Sequence, residues 1–376
     1  MNNVNEPTTP IRPKKTPKPI KLNWLWDFLI IVILLIGAYF RFTGLNWDTN
    51  YHLHPDERFL TMVESAISPV ENLGQYFDTA NSSLNPNNRG YTFYVYGTLP
   101  IFIVRYIGEL TGQVGYDSIH LVGRAVSGAF DLGTILLIYL TGKKLYKNTK
   151  LGLLAALFSS MAVLQIQLSH YFTVDNVANF FAYAAIYVAI CIMMAEPKPI
   201  KEPVEQGRFN NNELDFEQEE NHEQGQPSAA DWKPYFKVGA HIGKYALFGL
   251  LFGMALASKV SIYALALLLP VASLVYFSKL SKESRNKEAG LILRNLAVAG
   301  ILALITFRIF QPYAFMGPGF FGVKINQGWI ASLKELSVIS KGDVDVPYAL
   351  QWARRPITFA VDNLVQWGLG LSLGLL

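Results

Sequence analysis

Apolar residues in this chain are concentrated in segments close to the length of about 20 residues that an α-helix needs to cross a membrane. Polar stretches separate these segments, and the first segment begins at Trp24 and Trp26, aromatic residues typical of a membrane interface. The pattern predicts an all-α, polytopic integral membrane protein with about eight membrane-spanning helices. The predicted spans are residues 24–42, 120–141, 151–168, 174–195, 242–258, 261–278, 292–311 and 356–376.

The polar stretches divide the chain further. Residues 1–23 are basic and rich in proline, and residues 196–241 are acidic without an apolar period, so we expect both to be disordered and cytoplasmic. The transmembrane domain then covers residues 24–376. Two long loops, residues 43–118 and 312–355, are expected on the outer, non-cytoplasmic face.

The first outer loop contains one apolar piece of its own. Tyr94–Leu110 is apolar but is interrupted by Pro100 and Arg105, and it is too short for a span with these interruptions. We therefore expect an interfacial helix that lies on the membrane surface.

Basic residues set the predicted orientation. Lysines cluster in the loops after the second and sixth predicted spans, and cytoplasmic loops are the ones that carry such clusters. The N-terminus is therefore expected inside the cell, and the membrane is the plasma membrane if the source is prokaryotic. Arg354 and Arg355 fit less well because they would lie outside, but long outer loops escape the rule. The inner clusters are Lys143, Lys144, Lys147 and Lys150, and the stretch 279–287.

Composition supports the membrane assignment and excludes other classes. Hydrophobic residues make up 51% of the chain and charged residues only 16%, whereas soluble domains usually carry about 25% charged residues. A net charge of +4 is too small and too dispersed to indicate a nucleic-acid partner. The single cysteine, Cys191, excludes an intramolecular disulfide and a thiolate metal cluster.

Two acidic motifs fall on the predicted outer face. His52–Arg58 places the adjacent carboxylates of Asp56 and Glu57 just after the first span, and Tyr171–Asn176 places Asp175 at the start of the fourth. Each has a structural explanation, because acidic residues are common in the first turn of a helix. Because both motifs are predicted on the same side of the membrane, we expect them to belong to one site.

Cations are predicted near the same face. Arg124 lies within the second span, and Asp131 follows seven residues later on the same helix face. Ionisable residues inside spans are costly and often functional, although a structural pair of these two, or an Arg124 side chain reaching to the interface, remains open. Lys259 and Arg308 lie at the outer ends of two other spans, where interface anchors are also common.

Together these residues suggest a chemistry. A carboxylate can deprotonate an acceptor hydroxyl, and Arg or Lys can stabilise a departing phosphate. A substrate with a lipid tail and a phosphate head would meet both groups at the outer surface. A divalent metal is a further candidate cofactor, with His54 and His170 as its best candidate ligands, but no two-histidine helical spacing requires one.

This arrangement resembles the GT-C glycosyltransferases, above all the dolichyl-phosphate-mannose–protein mannosyltransferase family and its bacterial homologues that use polyprenyl-phosphate sugars. Three stretches over roughly residues 24–311 carry the resemblance, and they match the family's first acidic motif, its interfacial helix leading into the second span, and its second acidic site. They are His54–Glu57, Tyr96–Pro100 with Gly123–Ser127, and Phe172–Asn176.

The resemblance implies an inverting sugar transfer. Asp56 would be the catalytic base, and Glu57 and Asp175 would orient the acceptor or the sugar. Arg124, Lys259 and Arg308 would hold the donor phosphate. The partners implied are a polyprenyl-phosphate-linked sugar, membrane lipid, and a hydroxyl acceptor on a protein, lipid or glycan.

Two other functions stay open at this point. One is a transporter or flippase for a polyprenyl-linked lipid, and the other is a non-catalytic membrane scaffold. A transporter predicts charges near the bilayer midplane and repeated halves, whereas here the acids cluster at one surface and no repeat is present. The chain ends on an apolar stretch without a polar tail, so we expect a fragment of a longer protein.

Overall fold

The computed structural model describes residues 23–196 and 241–376, apart from residues 352, 371–373, 375 and 376 near the C-terminus. The predicted tail 1–23 and insert 196–241 therefore lie almost entirely outside the described residues. Within the described part, the regular structure is helical, and no strand is present beyond an isolated bridge between Phe315 and Ile325. The all-α prediction is confirmed.

Eleven α-helices form the main body of the described chain. They are α1 (Asn23–Phe42), α2 (Pro55–Ala66), α3 (Leu73–Tyr76), α4 (Thr98–Thr111), α5 (Tyr116–Tyr146), α6 (Thr149–Met161), α7 (Val163–Ser169), α8 (Asp175–Met193), α9 (Ile242–Ser258), α10 (Leu268–Ser278) and α11 (Lys282–Phe310). Shorter helices follow as α12 (Gln327–Lys341), α13 (Pro347–Leu350) and α14 (Ile357–Asn363), and a 3₁₀ segment, Val260–Leu267, leads into α10.

The count of eight spans is not confirmed. Four described helices are long and apolar enough to cross a membrane: α5, α8, the continuous stretch Val260–Ser278, and α11. A fifth is added if α6 and α7, which meet at a bend of 57°, form one broken span. The apolar part of α1 and the whole of α9 are shorter. The predicted last span, 356–376, contains two short helical pieces, Ile357–Asn363 and Leu364–Gly368, in its described part.

Small residues bring α9 close to α11. A Cβ atom added to Gly249 would lie 2.3 Å from the carbonyl oxygen of Ala299, and one added to Gly253 would lie 2.6 Å from that of Ala303. Packing of this kind stabilises helix pairs in membranes, where van der Waals contact replaces the hydrophobic driving force. The C-terminal end of α9, which carries Lys259, is therefore held firmly.

A buried ion pair supports the break between α6 and α7. The Arg41 guanidinium donates to the carbonyl oxygens of Ser160 at 2.9 Å and Ser159 at 3.2 Å, in the last turn of α6. Carbonyls in the last turn of a helix have no intrahelical N–H donor. The Arg41 guanidinium donates to two of these carbonyls instead. Its Nε lies 2.5 Å from Asp131 Oδ2. Asp131 thus forms a structural pair with Arg41, and the predicted alternative of a pair with Arg124 is wrong.

The loop of residues 43–118, which was predicted to lie outside and is called the first outer loop, contains two helices that pack on the helical bundle. α2 and α4 share a buried apolar cluster with the start of α5, which includes Leu60, Ile101 and Val122. The helix predicted within Tyr94–Leu110 is confirmed as α4. Arg105, which interrupted its apolar pattern, donates from Nη1 to the Glu64 carbonyl at 2.6 Å. The loop is therefore a folded cap over one end of the bundle.

Gly97, which precedes α4, fits against the end of α9. Its N–H donates to the Ser258 carbonyl at 3.1 Å, and a Cβ atom at this position would lie 2.1 Å from the carbonyl oxygen of Ala257. The next residue, Thr98, donates its N–H to Gln311 Oε1 at 2.6 Å. The first outer loop is thus attached to two segments far along the chain.

Gly97→Ala is therefore expected to destabilise the protein and displace Lys259. The added methyl meets backbone rather than a flexible side chain, and overpacking of this kind costs about 1–3 kcal/mol. The matched control is Gly300→Ala in α11, where no atom lies within 4 Å of the added Cβ. We expect a lower unfolding temperature for Gly97→Ala and no loss for Gly300→Ala. Equal unfolding temperatures would contradict the tight contact.

Candidate functional site

A buried cluster of charges lies where the outer loop meets α5. Arg124 donates from Nε to Glu57 Oε2 at 2.8 Å and from Nη2 to Glu57 Oε1 at 2.5 Å. Nη2 also donates to Asp48 Oδ2 at 2.8 Å, and Nη1 donates to the Leu45 carbonyl at 2.6 Å. The side chains of Arg124, Glu57 and Asp48 are 0% exposed. One guanidinium therefore forms ion pairs with two carboxylates away from water.

The same cluster joins the two acidic motifs. Glu57 Oε2 accepts a second hydrogen bond, from the N–H of Phe172, at 2.7 Å. The Phe172 ring lies directly on Gly123, where an added Cβ atom would be 2.2 Å from it. Trp47 Nε1 donates to the His170 carbonyl at 3.2 Å. The segment before α8 is therefore fixed against α2 and α5, as the predicted common site requires.

Asp56 lies in a different environment from its neighbour Glu57. Its backbone N–H donates to His54 Nδ1 at 3.2 Å at the N-terminus of α2. Its half-buried side chain makes no hydrogen bond or ion pair with any residue that the structure describes. The His54 ring lies 4.6 Å from the Tyr171 ring, which again places the two motifs side by side. No described residue therefore competes with a ligand for the Asp56 carboxylate.

Asp175 pairs with Lys259. Lys259 Nζ lies 2.5 Å from Asp175 Oδ1, and the two side chains are 44% and 29% exposed, respectively. Asp175 begins α8, and Lys259 follows α9 in an extended conformation. The structure thus brings together two residues that were predicted to share a site. Because both remain accessible, this ion pair contributes little to stability, and its charges can be reached by a ligand.

Arg308 has a different set of contacts. Its guanidinium donates to the carbonyls of Phe320 at 3.0 Å, Pro312 at 3.1 Å and Gly319 at 2.6 Å, and it lies 4.7 Å from the centre of the Phe77 ring. The side chain is buried. Arg308 therefore holds the turn that follows α11 against the outer loop, and no described carboxylate forms an ion pair with it.

The candidate metal ligands are engaged elsewhere. His170 lies between two backbone carbonyls, with Nδ1 2.8 Å from the Ile166 oxygen and Nε2 3.0 Å from the Thr43 oxygen. His54 accepts the Asp56 N–H. In the described residues, no group of three or more His, Cys, Asp or Glu side chains is arranged to hold a metal ion.

Several residues of this region were not predicted. Asp48 was not singled out because it is one of several polar residues after α1, and only the fold brings it to Arg124. Burial alone would raise the pKa of the Asp48 carboxyl, but the hydrogen bond and charge of Arg124 lower it below its usual value. His120 was not predicted either; it is buried against His52, the first residue of the motif His52–Arg58, with ring centroids 4.3 Å apart. Burial lowers the pKa of the His52 imidazole below its usual value.

A comparison with models of known protein families finds no match, and a comparison with curated protein sequences finds no similar protein. Among solved structures, the Saccharomyces cerevisiae protein O-mannosyltransferase Pmt1–Pmt2 complex bound to the sugar donor matches 78% of this chain and 35% of that chain, with 18% identity and a TM-score of 0.48. The apo oligosaccharyltransferase of Archaeoglobus fulgidus matches 93% of this chain and 38% of that chain, with 13% identity and a TM-score of 0.48.

A third match is the Archaeoglobus fulgidus oligosaccharyltransferase AglB in complex with an inhibitory peptide and a dolichol-phosphate, with 12% identity, a TM-score of 0.44, and coverage of 92% of this chain and 40% of that chain. These neighbours are a protein O-mannosyltransferase and oligosaccharyltransferases. The chain spans only 35–40% of their length.

Proposed function

We propose that this chain is the catalytic part of a glycosyltransferase that moves a sugar from a polyprenyl-phosphate donor to a hydroxyl acceptor. The main support is the contrast between two adjacent carboxylates. Glu57 is fully buried and bound by Arg124 and the Phe172 N–H, whereas Asp56 is accessible and unpaired within the described residues. A general base must come within hydrogen-bond reach of the proton that it takes, and no described residue occupies the Asp56 carboxylate.

In the proposed reaction, Asp56 accepts the proton of the acceptor hydroxyl. The acceptor oxygen forms a bond to the anomeric carbon of the sugar from the side opposite the phosphate. The bond between that carbon and the phosphate oxygen breaks, and the polyprenyl phosphate leaves with the bonding electron pair. The acceptor O–H bond and the bond from the anomeric carbon to the phosphate oxygen break, an O–H bond to Asp56 and the new glycosidic bond form, and the configuration at the anomeric carbon is inverted.

Lys259 is the best placed of the three predicted phosphate ligands. Its side chain is 44% exposed, whereas Arg124 and Arg308 are buried and donate to carboxylates or backbone carbonyls. We assign Lys259 to the donor phosphate and Asp175 to orienting the sugar or acceptor. Arg124 would act indirectly by holding Glu57, and Arg308 by holding the turn after α11.

Lys259→Ala is expected to weaken donor binding. Loss of one ammonium from a partly exposed phosphate site raises the KM for the donor about tenfold, and it leaves the KM for the acceptor unchanged. Lys259→Arg retains the charge and should keep most of the affinity. The measurement is the dependence of the initial rate on donor concentration for the three proteins. An unchanged donor KM in Lys259→Ala would remove Lys259 from the phosphate site.

The proposal includes the orientation of the chain in the membrane. With the N-terminus cytoplasmic, Asp56, Asp175 and Lys259 would all face the outer side, where a lipid-linked sugar and an exported acceptor could meet. The acceptor hydroxyl belongs to a protein, a lipid or a glycan, and all three are included in the test below.

The direct test is product analysis. Membranes that contain the full-length protein are incubated with defined polyprenyl-phosphate sugars and candidate acceptors, and products are identified by mass spectrometry. We expect a mass increase of one sugar residue on the acceptor and release of polyprenyl phosphate, both absent from membranes without the protein. Movement of the lipid-linked sugar across the membrane without a covalent product would favour the transporter. No product and no transport would favour the scaffold.

A further inference from the structure

A cavity of about 650 Å³ opens between the ends of α5, α8 and α9. It lies far from the site described above, because the helical stretch from Arg124 to Lys144 covers about 30 Å at 1.5 Å per residue. That length is close to the thickness of the hydrocarbon core of a bilayer. The cavity therefore lies at the opposite end of the membrane bundle from Arg124.

Lysines dominate the charge of this cavity. Its lining includes four of them against one carboxylate, that of Glu196; they are Lys143, Lys144, Lys147 and Lys244. Unpaired like charges repel each other when they share a concave surface. The arrangement is therefore more favourable when an anion occupies the cavity.

Two of the lysines have no protein partner in the described part of the chain. Lys244 Nζ donates to the Cys191 carbonyl at 3.2 Å, and Lys143 Nζ lies 3.4 Å from the Tyr139 hydroxyl oxygen. Lys144 and Lys147 make no hydrogen bond or ion pair with a described residue. No described residue therefore competes with a ligand for the ammonium groups of Lys144 and Lys147. Lys143 and Lys244 line the same cavity.

The remaining walls indicate what kind of anion fits. Leu140, Met194 and Ala195 line the cavity beside the lysines, at the ends of helices whose other faces are apolar enough to meet lipid. A ligand with a phosphate and an adjoining hydrocarbon chain satisfies both surfaces. We propose that this cavity binds the phosphate-bearing headgroup of an anionic membrane lipid. The inference does not depend on the proposed glycosyltransferase activity.

The test is a lipid titration of the full-length protein in zwitterionic detergent, with the unfolding temperature as the readout. Dioctanoyl phosphatidylglycerol is the probe, and dioctanoyl phosphatidylcholine and glycerol 1-phosphate are the comparison ligands. We expect saturable stabilisation by the first and none by the other two. Lys144→Ala combined with Lys147→Ala should weaken the apparent affinity by roughly tenfold or more.

Two further variants separate a site from a general charge effect. Lys144→Arg with Lys147→Arg retains the charges and should retain binding, and its unfolding temperature without lipid also checks the fold. Lys282→Ala with Lys287→Ala removes two lysines that lie outside the cavity and should leave the affinity unchanged. Equal weakening by both alanine pairs would overturn the proposal, and so would the absence of saturation. Stabilisation by glycerol 1-phosphate alone would assign the cavity to a soluble phosphate instead.

Discussion

Asp56→Asn is expected to lower kcat/KM for sugar transfer by about 10²–10⁴-fold, the range that a general base contributes. Asparagine retains the size of the side chain and the helix N-terminus but cannot accept the acceptor proton. The Asp56 carboxylate has no partner among the described residues, so the substitution breaks no native contact of that side chain. We therefore expect a normal unfolding temperature together with a nearly inactive enzyme. The measurement is the initial rate of product formation at limiting donor and acceptor.

A matched control comes from another outer acid. Asp117, in the first turn of α5, is exposed, and no hydrogen bond of its side chain to a described residue is present. Asp117→Asn removes the same charge from the same end of the bundle and should leave kcat/KM within about twofold of the unchanged protein. If Asp56→Asn retained full transfer, Asp56 would not be the base. If both variants lost activity equally, the effect would come from the charge of the surface.

Arg124→Met is expected to have the largest effect on stability. It removes the cation from two fully buried carboxylates, Glu57 and Asp48, and breaking a buried pair by deleting one partner costs about 3–5 kcal/mol. Arg124→Lys should also be destabilising, because an ammonium cannot replace the forked contacts to both carboxylates. Thermal unfolding of the purified protein in detergent measures the change.

Two comparisons identify the cause of that loss. Adding Glu57→Gln to Arg124→Met removes one of the two buried carboxylates left without a cation. The double variant should therefore unfold at a higher temperature than Arg124→Met alone. Arg354→Gln breaks an exposed pair with Asp343, whose atoms are 3.3 Å apart, and should cost less than about 1 kcal/mol. If Arg124→Met were as mild as Arg354→Gln, the buried cluster would not stabilise the fold.

The helical part of the fold was predictable because membrane spans are encoded locally. The length and apolarity of a segment are enough to indicate α5, α8 and α11. The break after α6 was not predictable, because it depends on Arg41 and Asp131, which lie far from it in sequence. The last predicted span, 356–376, is not among the described helices that are long and apolar enough to cross a membrane.

Residue types and topology indicated the members of the candidate site, but not their pairings. The separate environments of Asp56 and Glu57 could not be predicted, since both side chains are acidic and adjacent. Only the fold shows that Arg124 donates to Glu57, whereas Asp56 has no partner among the described residues. The pairing of Asp175 with Lys259 likewise depends on how α8 packs against α9. Charge partners across helices are a property of the packing, and a single sequence gives little information about them.

The contacts between the first outer loop and the end of α11 imply an order in which parts of the protein fold. Thr98 bonds to Gln311, 213 residues further along the chain, and Tyr76 donates its hydroxyl hydrogen to the carbonyl of Ile309, 233 residues away. Chains are synthesised from the N-terminus, and contacts between distant residues form only after the later one is made. The loop that carries Asp56 can therefore form these contacts only after α11 has been synthesised. A nascent chain that ends before Ile309 has both acidic motifs but lacks these two contacts of the loop.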